Sequence, residues 1–116
     1  MRVYLAGPMR NRPGWNFPAF KRAADILRAK GHTVFNPAEK GCESELPANP
    51  TQENSLAFRR KVFALDAAYI CNTADAVALL PDWEQSRGAV AEKALADAIG
   101  LRVLYLGQED GWHVVA

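Results

Sequence analysis

Cysteine and histidine are scarce in this 116-residue chain, with two of each. Cys42 and Cys71 have neither the number nor the spacing of a disulfide framework or a zinc site, and no cofactor is expected. An excess of one charge sign is also missing. Fourteen Lys and Arg face thirteen Asp and Glu, leaving a net charge of +1, without the basic surplus that contacts with duplex DNA require. No apolar run approaches the length that crosses a bilayer. The N-terminus opens directly into the strand-like run Arg2-Val3-Tyr4-Leu5-Ala6, with no signal-peptide pattern. These absences predict a cytoplasmic protein with neither a membrane nor duplex nucleic acid as partner. What is present is ordinary globular composition, 49% hydrophobic and 23% charged, which excludes a disordered or collagenous chain. The length is that of one domain, so residues 1–116 are expected to fold as a single unit. A chain this small buries a modest core, which leaves room for a partner subunit.

Breakers divide the chain into alternating elements. Residues 3–6 are apolar and stop at Gly7-Pro8, too early for a helix. Asn16-Phe17-Pro18 reads as a helix start with Asn16 as N-cap, and Phe20, Ala23, Ala24 and Leu27 supply the buried stripe up to Lys30-Gly31. Residues 32–35 form a second strand, ended by Asn36-Pro37. Residues 38–52 lack periodicity and predict a long loop of the kind that is often functional. A second helix follows over about 52–70, a strand over 76–80, a third helix over about 87–99 closed by Gly100, a strand over 101–106, and a short strand in the tail 112–115. Strands alternating with helices predict a doubly wound α/β fold, a mainly parallel sheet of four or five strands with helices on both faces. Ligands of such sheets bind beyond the carboxyl ends of the strands.

Polar residues interrupt the apolar patterns of two helices. In the second, Leu56, Phe63, Ala67 and Ile70 form one stripe and Phe58, Val62, Leu65 and Tyr69 another, with Arg59 and Asp66 on the seam between them. Two stripes predict two packing partners, the sheet and another subunit. A carboxylate at that seam is paired, solvated or used. In the third helix Glu92 falls inside an arc of small apolar residues. Gly88 lies one turn earlier, and helical side chains lean toward the N-terminus, so Glu92 is expected over an open space at Gly88. The dipole at the start of the helix favours the ionised carboxylate a nucleophile needs; the alternative is an edge Glu with its head in solvent. After the first strand, Gly7 lets backbone approach a ligand and Arg10 can grip an anion, whereas Arg12 reads as a solvated basic residue. Trp15 and Trp83 flank the same mouth, where they either stack on a planar base or simply pack.

Taken together these residues resemble a known group. Val3-Tyr4-Leu5-Ala6-Gly7-Pro8-Met9-Arg10, Asn16-Phe17-Pro18-Ala19-Phe20, Gly31-His32 through Glu39, and Ala74 through Gly88 with Glu92 are similar to a small domain family of phages and bacteria grouped with the nucleoside 2-deoxyribosyltransferases. The likeness spans nearly the whole chain. It implies cleavage of N-glycosidic bonds with Glu92 as nucleophile, in the pattern Ser86-x-Gly88-x-x-x-Glu92, with Tyr4 orienting it and Asp66 as acid. The resemblance to 2′-deoxynucleoside 5′-monophosphate N-glycosidases implies phosphate binding by Arg10 and Ser86, although Pro8 stands where that branch has a hydroxyl residue. Gly7, Gly88 and Trp83 complete the expected substrate site. The implied function is an N-glycosidase for a nucleoside 5′-monophosphate, acting by retaining double displacement. The alternatives are a nucleoside deoxyribosyltransferase and a non-catalytic nucleotide sensor. The implied partner is a nucleoside or nucleotide, and the implied assembly is a homodimer or higher homo-oligomer.

Overall fold

The computed structural model describes residues 1–9, 12–39, 56–107 and the backbone of 113–115. An interior strand of its sheet, β1 (Arg2–Ala6), is the apolar run that opens the chain, buried from Val3 to Ala6. β2 (Thr33–Phe35) and β3 (Ala76–Leu79) pair with it on either side, both parallel. β4 (Arg102–Gly107) adds in parallel to β3, and β5 (His113–Val115) closes the far edge antiparallel to β4. The order β2-β1-β3-β4-β5 is a doubly wound α/β arrangement, the class the alternation of elements predicts.

The period of two along the strands separates two cores. On one face, Val3, Leu5, Ala76, Ala78 and Leu104 meet Phe20, Ala23, Ala24 and Leu27 of α1 (Phe17–Ala29). On the other, Tyr4, Ala6, Val77 and Leu79 meet Ile70 of α2 (Leu56–Asn72) and Ala89 and Ala96 of α3 (Arg87–Ile99). Helices therefore cover both faces. α3 begins at Ser86, whose side-chain oxygen accepts from the Ala89 N–H at 3.1 Å. It ends at Gly100, in the left-handed region at φ 82°, a conformation that favours glycine.

Several local expectations are corrected. Asn16 does not cap α1 through its side chain. Its backbone is left-handed, and its amide Nδ2 instead donates to the Pro8 carbonyl at 2.9 Å. Two short 3-10 turns, Pro13–Asn16 and Trp83–Gln85, lie where loops are expected. α2 buries only Asp66 and Ile70; the first apolar stripe is buried at Ile70 alone and the second is nowhere more than half-buried, so they are not two packed faces. Leu56, Phe63 and Leu65 are exposed. The expected loop over 38–52 and the start of the second helix fall largely outside the described residues. Among the described residues no helix is long and apolar enough to cross a membrane.

Two glycines mark opposite constraints. A Cβ built on Gly7 would lie 2.8 Å from the Leu80 Cβ, whereas one on Gly88 would meet only the Ser86 Oγ, at 3.9 Å. Gly7→Ala is expected to destabilise the fold by about 1–3 kcal/mol through overpacking. Gly88→Ala should be neutral or stabilising by up to ~1 kcal/mol, because alanine suits a helix better. Urea denaturation of the two variants against the parent checks both signs.

Candidate active site

Strand order turns between β1 and β3, and there a cavity of about 1010 Å³ opens beyond their carboxyl ends. Its floor is Tyr4, a β1 residue buried on the sheet face that carries α2 and α3. The Tyr4 phenol donates a 2.6 Å hydrogen bond to Oε2 of Glu92. Glu92 is buried, held where the small residues Ala89 and Ala96 bring α3 close to the sheet. Asp66 enters from α2, the buried member of the seam between its stripes, and its Oδ1 is buried without a hydrogen-bond partner among the described residues. Gly88 and Ser86 line the cavity beside Glu92, as do Gly7 and Trp15 from the lip after β1.

Three acids sharing a dry space shift one another. Burial pushes the Glu92 carboxyl up to about 8; the Tyr4 hydrogen bond pulls it down and the Asp66 charge adds to the rise. Burial likewise lifts Asp66 to about 6, with Tyr4 pulling against it. The Tyr4 phenol is raised well above its ordinary value, first by burial and then by the two carboxylates, so it stays a donor. Burial works against the ionised Glu92 expected from the helix dipole, because the charged form loses water when the head is buried. Between about pH 6 and 8 the Glu92–Asp66 pair holds one proton, a property of the pair rather than of either residue.

The expected site residues divide. Tyr4, Gly7, Asp66, Ser86, Gly88 and Glu92 line one cavity. Gly7 has a packing reason as well, since Leu80 leaves it no room for a side chain. The Ser86 hydroxyl oxygen caps α3, but a hydroxyl that accepts still has its own proton to donate. Arg10 lies outside the described residues. Trp83 is not at the mouth. Its ring packs beside Tyr105, with centroids 6.3 Å apart, and the Lys93 ammonium lies 5.9 Å from it. The cause is the 3-10 turn after β3, from which the indole covers the apolar flank next to β4.

Arg12 reverses the sequence reading in the other direction. It lines the cavity, its Nη2 donates to Gln85 Oε1 at 2.7 Å, and its Nη1 lies 3.4 Å from Asp82 Oδ2. Nothing in a lone basic loop residue signals this. The only sign is that polar residues follow both β1 and β3, strands that turn out to be neighbours. Left-handed backbone is concentrated on the same two lips, at Trp15 (φ 58°), Asn16 (φ 61°) and Asp82 (φ 67°). Each such non-glycine residue costs about 1–3 kcal/mol and persists only where its surroundings hold it. Among the described residues no group of three or more His, Cys, Asp or Glu is placed to hold a metal ion.

Comparison with known proteins sets this geometry in a family. A family described as a domain of unknown function (DUF4406) matches residues 1–105. The chain belongs to that family. No curated protein sequence matches the DUF4406 chain. Among solved structures it is similar to a 2-deoxyribosyltransferase from the psychrotolerant bacterium Bacillus psychrosaccharolyticus. That likeness has a TM-score of 0.65 and 27% identity over 90% of this chain and 71% of the other. The DUF4406 chain is thus a small branch of the nucleoside 2-deoxyribosyltransferase-like superfamily, as the motifs Val3–Arg10 and Ser86–Glu92 imply.

The raised Glu92 carboxyl carries a consequence for stability. Its ordinary value is 4.5 and its folded value about 8, so in that interval the folded chain binds more protons than the unfolded one. Stability contributed by this group therefore falls as pH rises through the interval. Glu92→Gln removes that dependence. The variant is expected to melt higher than the parent at pH 8, by ~5 °C or more, with the difference closing toward pH 4.5, as thermal denaturation at both pH values would show.

Proposed function

We propose that the protein cleaves the N-glycosidic bond of a nucleoside 5′-monophosphate, whose sugar is ribose or 2′-deoxyribose, by a retaining double displacement through Glu92. The observation that carries this reading is the Tyr4–Glu92 hydrogen bond of 2.6 Å at the floor of a cavity that Asp66 also lines, its Oδ1 buried with no hydrogen-bond partner among the described residues. A Glu92 carboxylate oxygen attacks the anomeric carbon. The bond to the base nitrogen breaks, and its electron pair leaves with the base, which takes a proton from Asp66. Water then attacks the same carbon from the other face, returns a proton to Asp66 and frees the Glu92 carboxylate. A second base in place of water makes the reaction a transfer, the alternative favoured by the likeness to a 2-deoxyribosyltransferase.

The reaction needs Glu92 ionised and Asp66 protonated. That arrangement holds the same single proton as the resting pair and differs only in where it sits. The hydrogen bond from Tyr4 favours charge on Glu92, and ligand groups facing Asp66 would favour the proton there. Ser86, at the amino end of α3, supports a phosphorylated substrate, since a helix start and a hydroxyl together suit an anion. Arg10 is proposed as the cation of that subsite. A non-catalytic nucleotide sensor of the same fold would keep Ser86 and Arg10 and have no chemical need of Glu92.

We infer in addition that the working unit is a homodimer or larger closed oligomer of a cytoplasmic protein. Leu56, at 54% exposure, and the exposed ring of Phe63 share one side of α2, an apolar surface that the described residues leave uncovered and an isologous contact would bury.

Chromatography of a nucleoside and nucleotide panel, run with and without an acceptor base, is expected to show base release that Glu92→Gln abolishes. Glu92→Gln activity within about threefold of the parent would remove Glu92 from the chemistry. The rate should be bell-shaped in pH. Below about 6 both carboxyls hold protons and no nucleophile remains; above about 8 neither does and no acid remains. Sedimentation at micromolar concentration should give a dimer or larger particle that Leu56→Glu dissociates, and a monomeric parent would refute the assembly.

A further inference from the structure

The two lips of the crevice are tied together by one side chain. Arg12 leaves the segment after β1, and its guanidinium reaches Gln85 at 2.7 Å and Asp82 at 3.4 Å in the turn after β3. It therefore spans the place where strand order turns. Between Arg12 and α1 the chain runs left-handed through Gly14, Trp15 and Asn16. That run is pinned at both ends: the Trp15 N–H donates to the Arg12 carbonyl at 3.0 Å, and the Asn16 amide holds the Pro8 carbonyl at 2.9 Å. The partner turn carries its own left-handed residue, Asp82. Left-handed non-glycine backbone on facing lips, cross-linked by a guanidinium, is a conformation held in place for a purpose.

What it holds is Trp15. This indole lines the cavity and is only half-buried. It packs into neither of the two cores, unlike Trp83. A large aromatic side chain kept out of the core, on strained backbone and against an open cavity, is a surface for a flat ligand. Stacking on a nucleobase suits it, since every base offers a π-face.

We propose that Trp15 stacks on the base of the substrate and that Arg12 is the positioning residue that sets it there, by latching the lip after β1 to the turn after β3. The assignment rests on the nucleotide reading above. The latch needs the planar fork of arginine, because two acceptors on the opposite lip are held at once; a lysine ammonium lacks that geometry. Loss of the latch loosens the hold on substrate without touching the reacting atoms, so it acts on KM more than on kcat.

The test uses base release from the panel of nucleoside 5′-monophosphates, together with quenching of tryptophan fluorescence by the same nucleotides in the Glu92→Gln protein. Trp15→Ala is expected to raise KM about tenfold and Trp15→Phe less than about threefold, because a phenyl ring still stacks. Quenching should be largely lost in the Glu92→Gln, Trp15→Phe double variant. Arg12→Ala should raise KM about fivefold or more with kcat within about threefold, and Arg12→Lys should not rescue it. Arg12→Ala combined with Gln85→Ala should be no worse than Arg12→Ala alone, since both remove one interaction. A parent protein that releases base while Trp15→Ala and Arg12→Ala leave KM unchanged would overturn the latch alone. A parent that neither releases base nor is quenched by any nucleotide would overturn the nucleotide reading, and this assignment with it.

Discussion

A phenol in the first strand and a carboxyl in the last helix share one short hydrogen bond, and the site is arranged around it. The 2.6 Å contact between Tyr4 and Glu92 needs the phenol buried on the face that carries α2 and α3, with both helices close enough to the sheet. Small residues meet that need: Ala89 and Ala96 under α3, and Ala6 beside Tyr4 in β1. Bulkier residues there would lift α3 and part the pair. The bond also sets the electrostatics. Glu92 has lost its water, and the phenol is the donor that holds its charge when it has one.

Asp66 gives this arrangement its asymmetry. Its carboxyl is raised less than that of Glu92, and its Oδ1 is buried with no hydrogen-bond partner among the described residues. Two acids with different environments in one space suit different tasks, as the assignment of nucleophile and acid here requires. A buried oxygen without a donor is unfavourable in the empty protein, and a ligand that supplies the donor relieves it. Specificity then has a physical origin at that oxygen as well as at the lips of the cavity.

Much of this was legible in the sequence, for identifiable reasons. Gly and Pro punctuation placed the strands, and α3 runs over Arg87–Ile99, ending where its closing glycine implies. Glu92 and Asp66 stood out because each broke an apolar pattern, and a break in a buried pattern survives any error in the helix boundary. Other features were not legible. The two stripes of α2 looked like two packed faces because periodicity records which residues share a side, not which side is covered. What is actually buried is the seam residue Asp66 and, one turn on, Ile70 at the end of the first stripe. Trp83 and Trp15 were indistinguishable as aromatic residues near one mouth; a single 3-10 turn sends the first to Tyr105 and leaves the second at the cavity. Arg12 was missed because its partners, Asp82 and Gln85, lie about seventy residues away, and only the pairing of β1 with β3 brings them near.

The two cores divide the labour of the molecule. Phe20, Ala23, Ala24 and Leu27 of α1 close one face of the sheet, while the acids belong to the opposite face. The strands between them are shared and their side chains alternate, so Ala23, Ala24 and Leu27 stand apart from the acids, whereas Leu5 and Phe20 of the same core also line the cavity. Such a fold has a reserve that can be tuned apart from its chemistry. Repacking α1 at those three positions, or fixing a label to its outward face at Lys21 or Asp25, exposed and ion-paired with each other, alters robustness or reports on integrity and leaves the lining of the cavity as it was.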